Sequence, residues 1–222
     1  MHPSSFLALT ATIIPLVSAH GTLTQIRGAN GVNMNGLSIS SNARNRNSAA
    51  NTAIIRDSDI RSGRASPLGR TSRGGTVTAA SALQSFSRTN SLPTASDDGI
   101  ITVIYHQING DGAGPLDAAV DGISGGTQAN AFRNAQVIQN VPGTRGNGGK
   151  SNTDFTVTVK MPAGMTCDAT VGGVENVCIV RIRNAAAAGP FGGAAAFTQS
   201  ARSRKRALEF RTAGRNGVPF IA

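Results

Sequence analysis

The sequence predicts a mostly-β protein, an antiparallel β-sandwich with long loops and short helices. Three segments, 100–108, 154–161 and 177–183, have the composition and alternation of strands. Stretches rich in Gly, Asn and Ser separate them, chiefly 28–51, 111–126 and 142–152. Loops of this length and composition do not suit a helical bundle, whereas several short strands joined by long loops are typical of a sandwich.

The segment 100–108, IITVIYHQI, carries the strongest strand pattern. It is β-branched on both faces, which predicts a buried central strand. His106 lies at the end of this strand, just before the turn pattern Asn-Gly-Asp-Gly at 109–112. Tyr105 is expected on the opposite face of the strand from His106, because successive side chains alternate.

The remaining elements are weaker in pattern. Segment 154–161 alternates, with Phe155 and every second residue after it on one apolar face. In 177–183 the apolar side chains face one way, and Arg181 and Arg183 face the other. A last strand is expected at 194–199, and short helices around 52–61 and 77–86.

The N-terminus has the pattern of a secretory signal over residues 1–19. An apolar run from Phe6 to Val17, too short to span a bilayer, precedes the small-residue cleavage pattern Val17-Ser18-Ala19. With no second hydrophobic segment, the sequence predicts a secreted, extracellular protein that begins at His20 and has no transmembrane segment. Residues 20–201 are predicted to form one domain, and 202–222 a basic, mobile tail.

The formal net charge of +10 comes almost entirely from arginine. A secreted basic protein suits acidic polysaccharide, anionic membrane or phosphorylated wall glycan, although a solvated surface explains the charge as well. Nucleic acid is excluded as a partner because the chain is exported and lacks a binding motif. The absence of Trp and the single Tyr argue against docking on a flat crystalline polysaccharide.

The two cysteines, Cys167 and Cys178, form an even, closely spaced pair. In an oxidising compartment such a pair predicts a disulfide that staples one local hairpin. A reactive thiol pair is the alternative, but the C-x-x-C spacing is missing.

Cleavage after Ala19 would give His20 a free α-amino group, so that one residue offers a metal both an amine and a ring nitrogen. The ring of His106, the one other histidine after residue 19, completes three nitrogens, a donor set that suits one copper ion. The alternative is that His106 is a buried, hydrogen-bonded structural residue. Phe191 and Phe197 are candidates for an axial position, and Gln199 for a second-shell donor, with core packing as the alternative.

Several runs carry a resemblance to a known family: HGTLTQIRGANGV from His20, AIIRD from Ala53, ASPLGRT from Ala65, DFTVTVKMPAGMTC from Asp154, NVCIVRIRN from Asn176, AGPFGG from Ala188 and FTQSAR from Phe197. The sequence resembles the Egh-sixteen-like virulence-factor family of fungi, which are secreted proteins associated with appressoria and with penetration of a host or insect. The N-terminal His-Gly also resembles the start of lytic polysaccharide monooxygenases, which bind copper through a histidine brace on a β-sandwich.

The resemblance implies an immunoglobulin- or fibronectin-like sandwich and a virulence-associated protein acting at the cell wall or a host surface, with copper held by His20 and His106. Polysaccharide, acidic glycans included, is the expected partner. Catalysis is left open. One alternative is a copper-dependent monooxygenase-like enzyme that oxidises a glycan, and another is a metal-free glycan-binding or structural surface protein.

Overall fold

The computed structural model describes residues 20–39, 48–72, 75–86 and 91–215. The predicted signal, and the tail beyond residue 215, lie outside the described residues. Thirteen strands occur in this part of the chain: β1 Gly21–Arg27, β2 Asn33–Asn35, β3 Ala53–Ile54, β4 Arg70–Thr71, β5 Gly75–Thr76, β6 Thr94–Ala95, β7 Ile100–Gln107, β8 Asp117–Asp121, β9 Arg133–Gln139, β10 Thr153–Lys160, β11 Ala169–Val171, β12 Val174–Arg183 and β13 Phe191–Gln199.

The helices are short except for the last. The α-helices are α1 Asp57–Arg61, α2 Ala79–Phe86 and α3 Ala201–Arg215, and single 3₁₀ turns occur at Ala49–Asn51, Gly110–Gly112 and Ala129–Ala131. The helix predicted at 52–61 is thus a two-residue strand followed by α1, and the one predicted at 77–86 is α2. Among the described residues, none of these helices has the length and apolar content that spanning a bilayer requires.

The strands form one curled sheet in the order β2-β1-β7-β10-β9-β8-β12-β13-β3-β4-β5. Strand β11 pairs with β12, and β6 pairs with β13 in the one parallel pairing described. All other pairings are antiparallel, and the two halves of the curled sheet enclose a common apolar core. The predicted class, mostly β with an antiparallel sandwich-like arrangement, is confirmed.

Strand β7 is central in its half of the sheet, as its β-branched composition predicts. It pairs with β1 on one side and β10 on the other, with Tyr105 opposite both Leu23 and Phe155. Tyr105 and Leu23 are fully buried. The Tyr105 hydroxyl donates to the carbonyl of Gly112 at 2.7 Å, and burial raises the pKa of that hydroxyl. Tyr105 therefore faces the core, away from His106, as alternation predicts.

The opposite half of the sandwich is built on β12 and β13. Strand β13 is small-residue rich and buried along most of its length. A Cβ added to Gly193 would lie 2.8 Å from Leu23 Cβ, so the missing side chain lets β1 and β13 approach closely. This contact across the core brings the start of β13 near the start of β1, where His20 lies.

Cys167 and Cys178 form the predicted disulfide, with an S–S distance of 2.02 Å. It ties Cys167, two residues before β11, to Cys178 in β12, and both cysteines are fully buried. The backbone N–H of Cys167 donates to Gln199 Oε1, which anchors the end of β13 at the same place. The pair thus joins a local hairpin to the sheet, as the spacing predicts.

The basic stretch from Arg202 differs from the predicted mobile tail, because α3 occupies residues 201–215. Its arginines find partners on the domain: Arg204 contacts the Cys167 carbonyl and Asp168, and Arg206 contacts Asp98. Sequence patterning missed the helix since it has no strong apolar face. Docking through hydrogen bonds and ion pairs replaces most of the apolar burial that a surface helix usually needs.

Candidate metal centre

The backbone of His20 is fixed at the edge of the first half of the sheet. Its N–H donates to Asn109 Oδ1 at 2.8 Å, and its carbonyl accepts from the Ile108 N–H at 2.9 Å. The second bond extends the β1–β7 ladder by one step beyond Gly21. His20 is therefore held by the loop that follows β7, although it lies just outside the assigned strand.

Two glycines make this position tight. A Cβ on Gly112 would lie 2.1 Å from the His20 carbonyl oxygen, and a Cβ on Gly21 would lie 1.8 Å from the Tyr105 hydroxyl oxygen. Contacts this short are impossible for real side chains, so both positions need glycine while the backbones stay where they are. The His-Gly sequence therefore lets residue 20 sit directly against the Gly110–Gly112 turn.

The ring of His20 stacks on Phe191, with ring centroids 5.0 Å apart and an interplanar angle of 27°. Phe191 starts β13, and its N–H donates to Asn184 Oδ1 at 2.9 Å. The Asn184 side-chain amide in turn donates to the carbonyls of Asp111 and Ala113, at 2.8 and 3.1 Å. One asparagine thus connects the aromatic support of His20 with the loop that holds its backbone.

His106 lies in a row of three paired residues across β1, β7 and β10, opposite Thr22 and Asp154. Its side chain is 3 % exposed. The ring Nδ1 and Asp154 Oδ1 are 2.6 Å apart, and the Asp154 side chain is 61 % exposed. Thr22, fully buried, donates its hydroxyl to the Asn51 carbonyl at 3.0 Å, which brings the Ala49–Asn51 turn over this row.

The two histidines are diagonal neighbours in the sheet, since His20 is two residues before Thr22, the partner of His106. Diagonal neighbours in an antiparallel pair lie about 7–8 Å apart, within reach of long side chains. The register therefore places His20 and His106, which the sequence predicts as copper ligands, at diagonal positions.

The Asp154 contact sets the chemistry of the His106 ring. A carboxylate accepts a hydrogen bond from Nδ1–H, and in the neutral tautomer that carries this proton the lone pair is on Nε2. Within the part of the chain that the structure describes, Nε2 has no hydrogen-bond partner. A neutral imidazole with a carboxylate behind it and a free second nitrogen is the usual arrangement of a metal-binding histidine.

The donor set fits copper in kind. Among the described residues there is no group of three or more His, Cys, Asp or Glu side chains able to hold a metal. A histidine brace needs two imidazoles, and its third nitrogen is the α-amine of a chain that begins at His20. Asn109 would accept one amine hydrogen and leave the amine lone pair available.

The other residues predicted for the site, Phe191, Phe197 and Gln199, lie at the two ends of β13. Phe191 lies against the His20 ring. Phe197, however, is fully buried in the core opposite Cys178, and Gln199 bonds to Cys167 and Met165 at the far end of β13. A strand rises about 3.3 Å per residue, so six residues separate Phe197 from Phe191 by about 20 Å. The structure does not bring Phe197 and Gln199 to the histidines.

Sequence reasoning missed Asn109, Asp154 and Asn184 as supporting residues. The alternation of 154–161 does place Asp154 on the face opposite Phe155. What the sequence lacks is the pairing of that strand with β7, which sets Asp154 directly opposite His106.

The fold is a sandwich-like β protein with two histidines where β1 begins and β7 ends. Comparison with known proteins places the chain in a family. The chain belongs to the Egh16-like virulence factor family, whose model matches residues 18–192. The match thus includes the first β-strand, both histidines and the start of β13.

Curated relatives agree with this assignment. The appressoria-specific virulence factor GAS2 of Pyricularia oryzae is 39% identical over 283 aligned residues, covering 100% of this chain and 98% of the relative. The appressoria-specific virulence factor GAS1 of the same species is 33% identical over 216 residues, covering 94% of this chain and 84% of the relative. No solved structure matches the chain significantly.

Proposed function

We propose that this protein is a secreted, virulence-associated copper-binding protein that acts at the cell wall or a host surface. One Cu(II) is held by the His20 α-amine, the His20 ring and the His106 ring. The names of its relatives, appressoria-specific virulence factors, support the biological setting. Polysaccharide is the proposed partner at that surface.

The observation that carries the copper proposal is the row Thr22, His106 and Asp154 with His20 diagonal to it. His106 is buried, its Nδ1 is engaged by a carboxylate, and its Nε2 has no partner among the described residues. The buried side-chain atoms without a partner in the described part are Ser38 Oγ, Thr52 Oγ1 and Gln107 Oε1, so His106 Nε2 is not sealed from solvent and a metal ion can reach it. Three nitrogen donors without thiolate favour Cu(II) among the common divalent ions.

Bound copper would supply Lewis acidity and one-electron redox chemistry. The chain's own residues do the positioning. Asn109 holds the amine, Phe191 supports the first imidazole and Asp154 orients the second. The site lies at the surface, since His20 is half-buried and Asp154 is exposed, so a polymer can reach it.

Asp154→Asn is expected to lower Cu(II) affinity by about 10–100-fold, the usual cost of removing a second-shell partner of a metal-bound histidine. The carboxamide keeps the shape of the side chain, but it is uncharged and therefore accepts a weaker hydrogen bond from the His106 Nδ1–H. Isothermal titration with Cu(II), on protein that begins at His20, measures the change.

Asp117→Asn is the matched control. It removes the same charge from an exposed strand residue that forms no ion pair with the described residues. If both variants bind Cu(II) as tightly as the unmodified protein, Asp154 does not orient a ligand and the observation that carries the proposal has another cause.

The surface position of the site also keeps an enzymatic alternative open, in which the copper centre oxidises a glycan. Release of oxidised oligosaccharides from neutral and acidic glycans, with copper and a reductant, distinguishes the two. Product that disappears with His20→Ala would establish the enzyme, whereas copper binding without product supports the non-catalytic protein.

A further inference from the structure

A predominantly polar groove of about 460 Å³ crosses the outer face of β8, β9 and β12. This face of β12 is opposite the one that packs on the core. The copper proposal uses none of the groove's residues. Arg181 and Arg183 line one side, Asn134 lies on the other, and Asp117 is at one end.

The floor of the groove follows from strand register. Arg181 on β12 is paired with Ala119 on β8, which is paired with Asn134 on β9. All three side chains therefore point to the same face. The small Ala119 side chain leaves space between a guanidinium on one side and an amide on the other.

Arg181 forms no salt bridge with the described residues, although the charge of Asp57 acts on it from a distance. All eleven Asp and Glu residues of the chain lie in the described part, and no salt bridge found there involves Arg181. Its neighbour Arg183 is different, because it forms a two-oxygen contact with Asp57 at 2.6 and 3.4 Å. The groove thus contains one arginine in an ion pair and one arginine without an ion pair of its own.

The guanidinium of Arg181 is also held in a fixed orientation. Its Cζ lies 4.3 Å from the centroid of the Phe132 ring, and one terminal N–H donates to the Pro67 carbonyl at 2.7 Å. Of the five guanidinium N–H groups, the described contacts use one. A stacked, pre-oriented fork loses little side-chain entropy when it binds a planar anion.

The partial burial of Arg181 favours the binding of an anion in this groove. Burial, and secondarily the charge of Arg183, lower the pKa of Arg181 to about 10, so the side chain remains charged at neutral pH. A partly buried charge without an ion pair is costly, and an anion that hydrogen-bonds to the remaining N–H groups of Arg181 offsets that cost.

The charges of the groove select a monoanion. Of the two arginines only Arg181 lacks an ion pair, and the carboxylates of Asp57 and Asp117 lie near or in the same groove, so a dianion such as phosphate would be opposed. A carboxylate matches both the single charge and the planar fork. The polar lining and the Asn134 amide suit the hydroxyl groups of a sugar ring.

We propose that this groove binds the carboxylate of a hexuronic acid residue in an acidic glycan, with Arg181 as the main contact and Asn134 beside the sugar. This inference rests on the surface action proposed above and specifies an acidic glycan as the partner. Binding in the groove needs neither copper nor His20 or His106.

Binding of trigalacturonate to the full-length protein, without added copper, tests the proposal by isothermal titration. Arg181→Gln and Asn134→Asp should each weaken binding by about 10-fold or more, the effect of losing a charged hydrogen bond or opposing the anion. Arg133→Gln is the matched control. It changes the charge by the same amount at the adjacent, exposed residue of β9, which faces the other way, and should change affinity less than about 2-fold.

The carboxyl-reduced trisaccharide and inorganic phosphate complete the test, and neither should compete with trigalacturonate. Asn134→Asp alters an exposed residue, so it carries the test if Arg181→Gln unfolds. Equal losses with Arg133→Gln, unchanged binding in both groove variants, no measurable binding, or competition by phosphate would each overturn the proposal. His20→Ala should leave uronate binding unchanged, so failure of the copper site is distinguished from failure of this one.

Discussion

His106→Ala is expected to lower Cu(II) affinity by more than about 100-fold, the upper end of what second-shell changes cost, because it removes a ligand itself. The change deletes the ring nitrogen and leaves the amine and the His20 ring as a two-nitrogen site. Competition titration against a chelator of known affinity measures the loss on protein that begins at His20.

Because His106 is buried, the same variant also creates a cavity, and a control for lost stability is needed. Val103→Ala removes two methyl groups from the same strand on the core face, where Val103 is fully buried. It should lower the thermal midpoint and leave copper affinity within about 3-fold, provided that the domain remains folded. A Val103→Ala loss as large as that of His106→Ala would mean that the histidine acts through stability.

Replacing both Cys167 and Cys178 with alanine is expected to lower the free energy of unfolding by about 3 kcal/mol, within the usual 2–5 kcal/mol for a native disulfide in a small secreted domain. The disulfide closes a loop with a sequence separation of 11, and both residues are buried where β11, β12 and α3 meet. Urea unfolding monitored by circular dichroism measures the difference.

Alanine is chosen over serine because a buried hydroxyl without a partner would add its own cost. Alkylation and mass spectrometry of the unmodified protein should find no free thiol. A loss below about 1 kcal/mol would show that the hairpin is held by its strand pairing and by Gln199 and Arg204, which both bond to the Cys167 backbone. Copper affinity should be retained, because Phe191 and the disulfide lie at opposite ends of β13.

The sequence predicted the β class and the positions of the strongest strands because local patterns determine those features. Segment 100–108 is β-branched on both faces, and it is the buried strand β7 of the structure. The last helix was missed for the opposite reason. Its stability depends on partners distant in sequence, such as Asp98 and Asp168, which no local pattern reveals.

The candidate site shows the same division. His20 and His106 stand out because histidine is rare in this chain and because the predicted cleavage precedes His20. Asn109 and Phe191 gain their roles through a loop and a facing strand, and Asp154 through the register of β10 on β7. Phe197 was predicted as an axial candidate together with Phe191, and Gln199 as a second-shell donor, yet the length of β13 puts both at the other end of that strand from Phe191.

The α-amine of His20 is the donor on which the copper account depends, and one comparison tests it directly. Two versions of the protein that both begin at His20 are prepared, one with a free α-amine and one with that amine acetylated, and Cu(II) affinity is measured for both. The account predicts one Cu(II) per chain in the first version. In the second, affinity should fall by more than about 100-fold, because the amine becomes an amide nitrogen that no longer offers a lone pair. Equal affinity in the two versions would contradict the histidine brace.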